Sequence, residues 1–388
     1  MKDISNVAKK VQPSPIRQMF NLADGMEDVV SFTVGEPDFD TPQHIVDAAI
    51  DALKNGEHHY TPNAGILPLR TAISEVISHS HGLSYAPDKE IIVTAGGMEA
   101  LLLTMLTILN PGDEFILSDP CWTNYSRQVE ICSAVPMFVR VNAENGFTFN
   151  PDDLERAITP QTKGFLINSP ANPTGGIAEK KILQKLAEIA IRHDLYVISD
   201  EVYSALVYED KKITSIATIP GMKERTVIIN SFSKTYAMTG WRVGYAVGPQ
   251  HLISQMVKLQ ENVAACVNSA AQYGALAALT GTQEPLSEML KTYAERRTYV
   301  LDAFSKIKGL TCFIPQGAFY AFVDVSATGM DAETFAKDLL QKARVIVVPG
   351  SAFGSYGANF VRLSFATSLE NIKQGLQRIG KYMNNLHS

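Results

Sequence analysis

The chain has no run of about 18 or more apolar residues, so no segment reads as a membrane span. Its first residues, Met1 to Val11, hold two adjacent lysines but no apolar stretch of signal-peptide length, and a cytoplasmic protein is the expectation. Cysteine is scarce: Cys121, Cys132, Cys266 and Cys312 form no Cys-x-x-Cys pair and stand near no histidine cluster. That spacing argues against a zinc site and a disulfide framework, and leaves buried or free thiols. The eight histidines are also scattered; His58-His59 and His79/His81 come nearest to a ligand arrangement and read better as surface or core residues. No metal is expected. No basic run interrupts a formal net charge of −6, which gives no reason to expect nucleic acid. Internal repeats, low-complexity tracts and flexible linkers are missing as well.

What is present is the make-up of a soluble globular enzyme: 388 residues, 46% apolar and 19% charged, enough for one large domain and a smaller one. Residues 16–23 carry Ile16, Met19, Phe20 and Ala23 at the spacing of one helical face. Residues 29–34 read as a strand, and Thr41-Pro42 supplies an N-cap and first position for a helix to about Asn55. An amphipathic helix is expected over 67–79. Strands at 91–94, 114–117, 135–141, 164–168, 195–199 and 227–230 then alternate with helices, and 242–247 adds another. Such alternation predicts an α/β fold with a mainly parallel sheet covered on both faces. Past about Gly281 the texture changes to a long polar helix with Arg296 and Arg297. Strands at 312–314, 317–323, 345–348 and 360–365 and helices at 331–343 and the C-terminus follow. This reads as a second, α+β domain built from both chain ends.

Candidate chemistry gathers at strand ends. Ala95-Gly96-Gly97, between a strand and the helix that Met98 opens, puts free N–H groups and a positive helix end at one point, a geometry that favours a phosphate. Gly35 after a strand fits either relief of backbone strain or an N–H open to a ligand. Trp122, in a loop past a strand, fits either core packing or stacking on a flat ring. Asn172 is fixed in a Pro-rich turn, and Asp200 either caps the next turn or faces a ligand at the carboxyl end of its strand. Lys234 lies among Ser231, Ser233 and Thr235, with Arg242 eight positions on; partial desolvation would lower its pKa and free a neutral amine for Schiff-base chemistry.

The stretch Ser231-Phe232-Ser233-Lys234 through Arg242-Val243-Gly244 resembles the lysine signature of the class I pyridoxal-phosphate aminotransferases of fold type I. The likeness extends, in family order over nearly the whole chain, to Gly35-Glu36-Pro37-Asp38, Tyr60-Thr61-Pro62, Gly96-Gly97, Ser169 through Gly175, Asp200-Glu201-Val202-Tyr203 and Val361-Arg362-Leu363-Ser364. The resemblance implies a seven-stranded large domain over residues 41–280, a small domain over 281–388, and an arm with part of the small domain over 1–40. It implies pyridoxal 5'-phosphate held as an internal aldimine on Lys234, with Asp200 on the pyridine nitrogen and Tyr203 and Asn172 on the ring hydroxylate. Trp122 would stack on the ring. The phosphate would take the Gly96-Gly97-Met98 turn, Ser231, Ser233, Arg242 and Tyr60 from a neighbouring subunit, so a homodimer with shared active sites is implied. Arg362 would clamp the substrate α-carboxylate with Asn172 and the Gly35 backbone.

Members selective for acidic substrates resemble this chain less at one place: a lysine follows their Gly-Gly pair where this sequence has Met98. A neutral or aromatic substrate side chain is therefore favoured, with 2-oxoglutarate as acceptor in ping-pong chemistry. Two rivals keep the cofactor, an aspartate aminotransferase and a cystathionine-type β-lyase. A third is a ligand-sensing regulator, for which the pattern, starting near Ile16, leaves no room for a DNA-binding module.

Overall fold

The computed structural model describes residues 2–13, 19, 23, 25–209 and 211–386. Strands in chain order are β1 (Val30–Ser31), β2 (Ile91–Thr94), β3 (Glu114–Asp119), β4 (Val135–Arg140), β5 (Thr162–Asn168), β6 (Tyr196–Asp200), β7 (Thr226–Ser231), β8 (Gly244–Val247), β9 (Thr311–Phe313), β10 (Tyr320–Asp324), β11 (Val345–Ile346), β12 (Val348–Pro349) and β13 (Phe360–Ser364). Seven of them form one sheet in the order β2-β8-β7-β6-β5-β3-β4. All pairs in it are parallel except those of β8, which is antiparallel to both neighbours. The buried apolar runs in β5, β6 and β7 match a sheet covered on both faces, as Ile116, Phe165 and Val197 pack under one helical layer and Leu117, Leu166 and Ile198 under the other.

Register brings the functional ends level. Asn168 pairs with Asp200, and Asp200 with Ile229, so the carboxyl ends of β5, β6 and β7 open at one edge. A smaller antiparallel sheet, β12-β13-β10-β9, carries Arg362 at its centre, opposite Phe322 and Val348. The chain ends meet where β1 pairs in parallel with β11. One core cluster joins Val30 and Phe32 to Tyr320, Phe335 and Ile372, and reaches Tyr203 at the edge of the large sheet.

Most expected elements shift by only a residue or two, but some differ for physical reasons. The strand read over 29–34 is two residues long; Phe32 N still donates to Ile346 O, but the Thr33 carbonyl turns away to accept from Arg362. Pro42, not Thr41, precedes the helix Gln43–Lys54, because Thr41 Oγ1 donates to Ala237 O and accepts from Trp241 Nε1. The strand read from Arg242 starts at Gly244, since Arg242 sits at φ 55°, off the extended region. The strand read over 345–348 breaks at Val347 into β11 and β12, which pair with different partners. In the long helix Glu284–Ser305, Arg296 and Arg297 are buried and paired with Asp38 and Glu209. The helix expected over 16–23 lies outside the described residues apart from Met19 and Ala23. No described helix is long and apolar enough to cross a membrane.

Candidate active site

The short helix Phe232–Thr235 follows β7 directly, capped by Ser231, whose Oγ accepts from Ser233 N. That cap aims Lys234 across the sheet edge, where Nζ donates to the Gly35 carbonyl at 2.5 Å. Burial pushes the Lys234 amine down to about 8; Arg242 and Arg362 push the same way and Glu36 opposes them.

Asp200 ends β6 and is buried. Its Oδ2 accepts from the Tyr125 hydroxyl at 2.6 Å and its Oδ1 from Val202 N at 3.2 Å. Burial lifts its pKa to about 6; the two hydrogen bonds restrain the rise and Glu201 adds to it. Asn168 ties the next strand end in, donating to Asp200 O and accepting from Asn172 N.

Arg362 is almost fully buried, at 1% exposure. Its Nη1 donates to Asn172 Oδ1 at 3.0 Å and its Nη2 to Thr33 O at 2.7 Å, while Nε has no partner. The guanidinium lies between the rings of Tyr320 and Phe353, 4.6 and 4.9 Å from their centroids. Tyr203 and Tyr320 join hydroxyls at 2.8 Å.

The helix Gly97–Ile108 begins without a side-chain cap. Beside it lie Ser231, Ser233 and Arg242, and a Cβ on Gly96 would stand 2.5 Å from Arg242 Nη2. A Cβ on Gly244 would lie 2.5 Å from Gly96 C and 2.6 Å from Gly97 N, so a bare Cα lets β8 reach this turn. The groups enclose a cavity of about 320 Å³ lined by Gly35, Gly97, Met98, Trp122, Asn172, Asp200, Tyr203, Ser231, Ser233, Lys234, Arg242 and Arg362 among others. Trp122 stands edge-on to Tyr125, at 5.3 Å between centroids. Tyr60 is 90% exposed and outside the lining.

Sequence reasoning missed Tyr125 and Tyr320, which also line the cavity. Each is a hydroxyl inside an apolar or helical stretch. Of the histidines, His81 is half-buried with Nε2 3.0 Å from Glu201 Oε2, and no group of three metal-ligating side chains occurs among the described residues. Cys121 and Cys132 are buried, and all four cysteines are free thiols.

A sequence model of the family described as aminotransferase class I and II matches residues 27–379. The aspartate aminotransferase of Pyrococcus abyssi is 42% identical over 375 residues, covering 96% of this chain and 96% of that protein. Aromatic-amino-acid aminotransferase 2 of Thermococcus litoralis is 39% identical over 382 residues, 98% of each chain. The solved structure of the Thermus thermophilus aspartate aminotransferase with maleate has a TM-score of 0.93 at 38% identity, covering 98% of this chain and 100% of that one.

Proposed function

The chain belongs to the class I and II aminotransferases, in the aspartate/aromatic subgroup that uses pyridoxal 5'-phosphate, and from that premise we propose a specific reaction. The enzyme passes the amino group of an aromatic or neutral L-amino acid to 2-oxoglutarate in two half-reactions, with aspartate as the second candidate donor. The observation that carries this reading is that Lys234, Asp200 and Arg362 open onto one cavity.

The residues present fit the cofactor. An uncapped helix start at Gly97 beside Ser231, Ser233 and Arg242 is a donor set for a phosphate. A buried carboxylate at Asp200 suits a cationic ring nitrogen, and Trp122 offers a flat face beside the space between. When bound, pyridoxal 5'-phosphate supplies an aldehyde that bonds amines and a ring that draws electrons from the carbon next to the nitrogen.

Lys234 would hold the cofactor through Nζ and, when that amine is free, would carry the proton taken from the substrate Cα. Its depressed pKa keeps a neutral fraction available near neutral pH. Asp200 would keep the ring nitrogen protonated. Tyr203 and Asn172 would donate to the ring hydroxyl oxygen; with Asn172 Oδ1 taken by Arg362, Nδ2 is the end left to do so. Arg362 clamps the α-carboxylate through its planar fork, helped by Asn172 and the Gly35 backbone. Gly96, Gly97, Met98, Ser231, Ser233 and Arg242 would hold the phosphate, joined by Tyr60 of the partner subunit in a homodimer. Residues 41–280 form the large domain, 281–388 the small one, and 1–40 an arm with part of the small domain.

Side-chain preference follows from the rest of the lining. Met98, Leu101, Trp122, Val202 and Tyr320 are apolar or aromatic, and Lys234, Arg242 and Arg362 are the cations among the described lining residues. The relatives named aspartate aminotransferase support aspartate as the second reading. A panel of amino acids with 2-oxoglutarate, read by glutamate formation, tests the proposal: phenylalanine or tyrosine should lead. Pyruvate and ammonia from a cysteine thioether without any acceptor would instead mark a lyase.

A further inference from the structure

Beyond lining the cavity wall, the Tyr320 hydroxyl has no part in the scheme above, yet Tyr320 touches three of its parts. It opens β10 opposite Ser364, two residues from Phe322, which faces Arg362, so Tyr320 and Arg362 share one face of the small sheet as diagonal neighbours. Its ring forms one side of the slot that holds the Arg362 guanidinium. Its hydroxyl meets the Tyr203 hydroxyl at 2.8 Å, with both side chains buried. A Cβ on Gly35 would come within 2.7 Å of the Tyr320 oxygen, so a glycine there admits the hydroxyl to the loop that also receives Lys234.

We propose that Tyr320 is a positioning residue that couples occupancy of the carboxylate site at Arg362 to the hydroxyl that Tyr203 presents to the cofactor ring. The proposal rests on the reading of Arg362 and Tyr203 given above. Tyr203 can donate to the ring oxygen only with its own proton, so the bond between the two tyrosines must use the proton of Tyr320. Donors in such a chain polarise one another. The guanidinium beside the Tyr320 ring makes that phenol a stronger donor, which strengthens Tyr203 in turn and favours the anionic form of the ring oxygen. A substrate carboxylate on Arg362 cancels much of the charge. Tyr320 then donates less strongly, Tyr203 follows, and the proton affinity of the cofactor site rises as substrate arrives. The other titratable or charged groups facing the two tyrosines are Asp200, at the end of β6, and Tyr293, on the helix Glu284–Ser305; Lys234 shares the cavity.

The test is a pH titration of the visible absorption band of the holoenzyme, alone and with saturating 3-phenylpropionate or maleate, carboxylates that lack an amino group. Tyr320→Phe keeps the ring and its stacking on Arg362 and removes only the hydroxyl. In the wild type the midpoint should rise when the carboxylate binds. In Y320F the midpoint without carboxylate should already stand about 0.5 pH unit higher, the scale of one lost hydrogen bond, and the response to carboxylate should fall to less than about half. The KM for the amino acid should change less than kcat, because the clamp itself is intact. A Y320F titration that matches wild type with and without carboxylate overturns the coupling while leaving the aminotransferase reading in place. A wild-type band that does not titrate, or that responds to neither carboxylate, overturns the reading of Arg362 and Tyr203 and the coupling with it. Should Y320F fail to fold, Tyr203→Phe reads the same chain: loss of the carboxylate response supports the coupling, and a full response overturns it.

Discussion

At the scale of single residues, two buried groups shift in opposite directions. Burial holds the Lys234 amine at about 8, below the ordinary lysine range, and lifts Asp200 to about 6, above the ordinary carboxylate range. Only neutral Lys234 attacks an aldehyde, so capture of pyridoxal 5'-phosphate by the apoenzyme should quicken as pH rises through about 8 and level off above it, followed by stopped-flow absorbance. Asp200 protonates as pH falls through about 6, and cofactor affinity should drop on that side. The same shifts act on apoenzyme stability with fixed signs. The Asp200 contribution is present below the ordinary carboxylate range and lost as pH rises through about 6; that of Lys234 is present above the ordinary lysine range and lost as pH falls through about 8. Met98 bears on specificity: its thioether lies 3.4 Å from Asn124 Nδ2 at the cavity wall. Met98→Lys should raise kcat/KM for aspartate over that for phenylalanine by about tenfold, and an unchanged ratio would remove Met98 from the side-chain pocket. Legibility at this scale followed local context. Lys234, Asp200 and Asn172 stood out because polar groups at strand ends, among Gly, Pro and Ser, have few packing reasons to be there, whereas Arg362, in the middle of β13, came only with the family resemblance. Tyr320 and Tyr125 did not stand out, because an aromatic in Ala318-Phe319-Tyr320-Ala321-Phe322 or in a helix reads as core, and only coordinates show where its hydroxyl goes.

At the scale of elements, the corner proposed for the phosphate depends on three backbones in near contact. β8 lies against both the Gly96-Gly97 turn and the end of β7, with Gly244 paired to Thr94 and to Ser231. A methyl group at Gly244 would meet Gly97 N and Asn230 O, neither of which is a flexible side-chain end. Gly244→Ala should therefore push the helix start outward at a cost of about 2 kcal/mol and weaken cofactor binding about tenfold, measured by equilibrium titration of the apoenzyme. A second element-level joint ties the long helix Glu284–Ser305 to the loop after Gly35. Arg296 donates through Nη1 and Nη2 to the two Asp38 oxygens at 2.6 and 2.8 Å. Arg296 is buried, so Asp38→Asn leaves its charge without a counter-ion and should lower stability by about 2 kcal/mol in denaturant titration, while the Lys234 amine stays in place. That joint escaped sequence reading because Arg296 sits in a helix of polar texture, where a solvated face is the natural expectation. The strand boundaries, by contrast, were mostly off by a residue or two; the strands read over 29–34 and 317–323 miss by three at one end, where the Thr33 carbonyl turns to Arg362 and where Ala318 sits at φ 57° ahead of β10.

At the scale of the whole molecule, alternating strands and helices made the α/β sheet legible, but not the reversal of β8 or the union of β1 with β11, which depend on contacts far apart in the chain. Tyr60 is the residue that a single chain does not account for: it is exposed and away from the cavity, yet belongs to the proposed phosphate site. Mixing Tyr60→Phe chains with Lys234→Ala chains should produce hybrid dimers with one fully restored site, seen as recovery of high-affinity cofactor binding in a fraction of the sites. No recovery would mean that each chain builds its site alone. The proposed chemistry turns on one amine at the edge of the large sheet, that of Lys234. Borohydride reduction of the cofactor-loaded enzyme, followed by peptide mass analysis, fixes the cofactor to whichever nitrogen holds it. The expected result is one modified peptide, carrying the added mass on Lys234; modification of a different lysine, or none, would contradict the assignment.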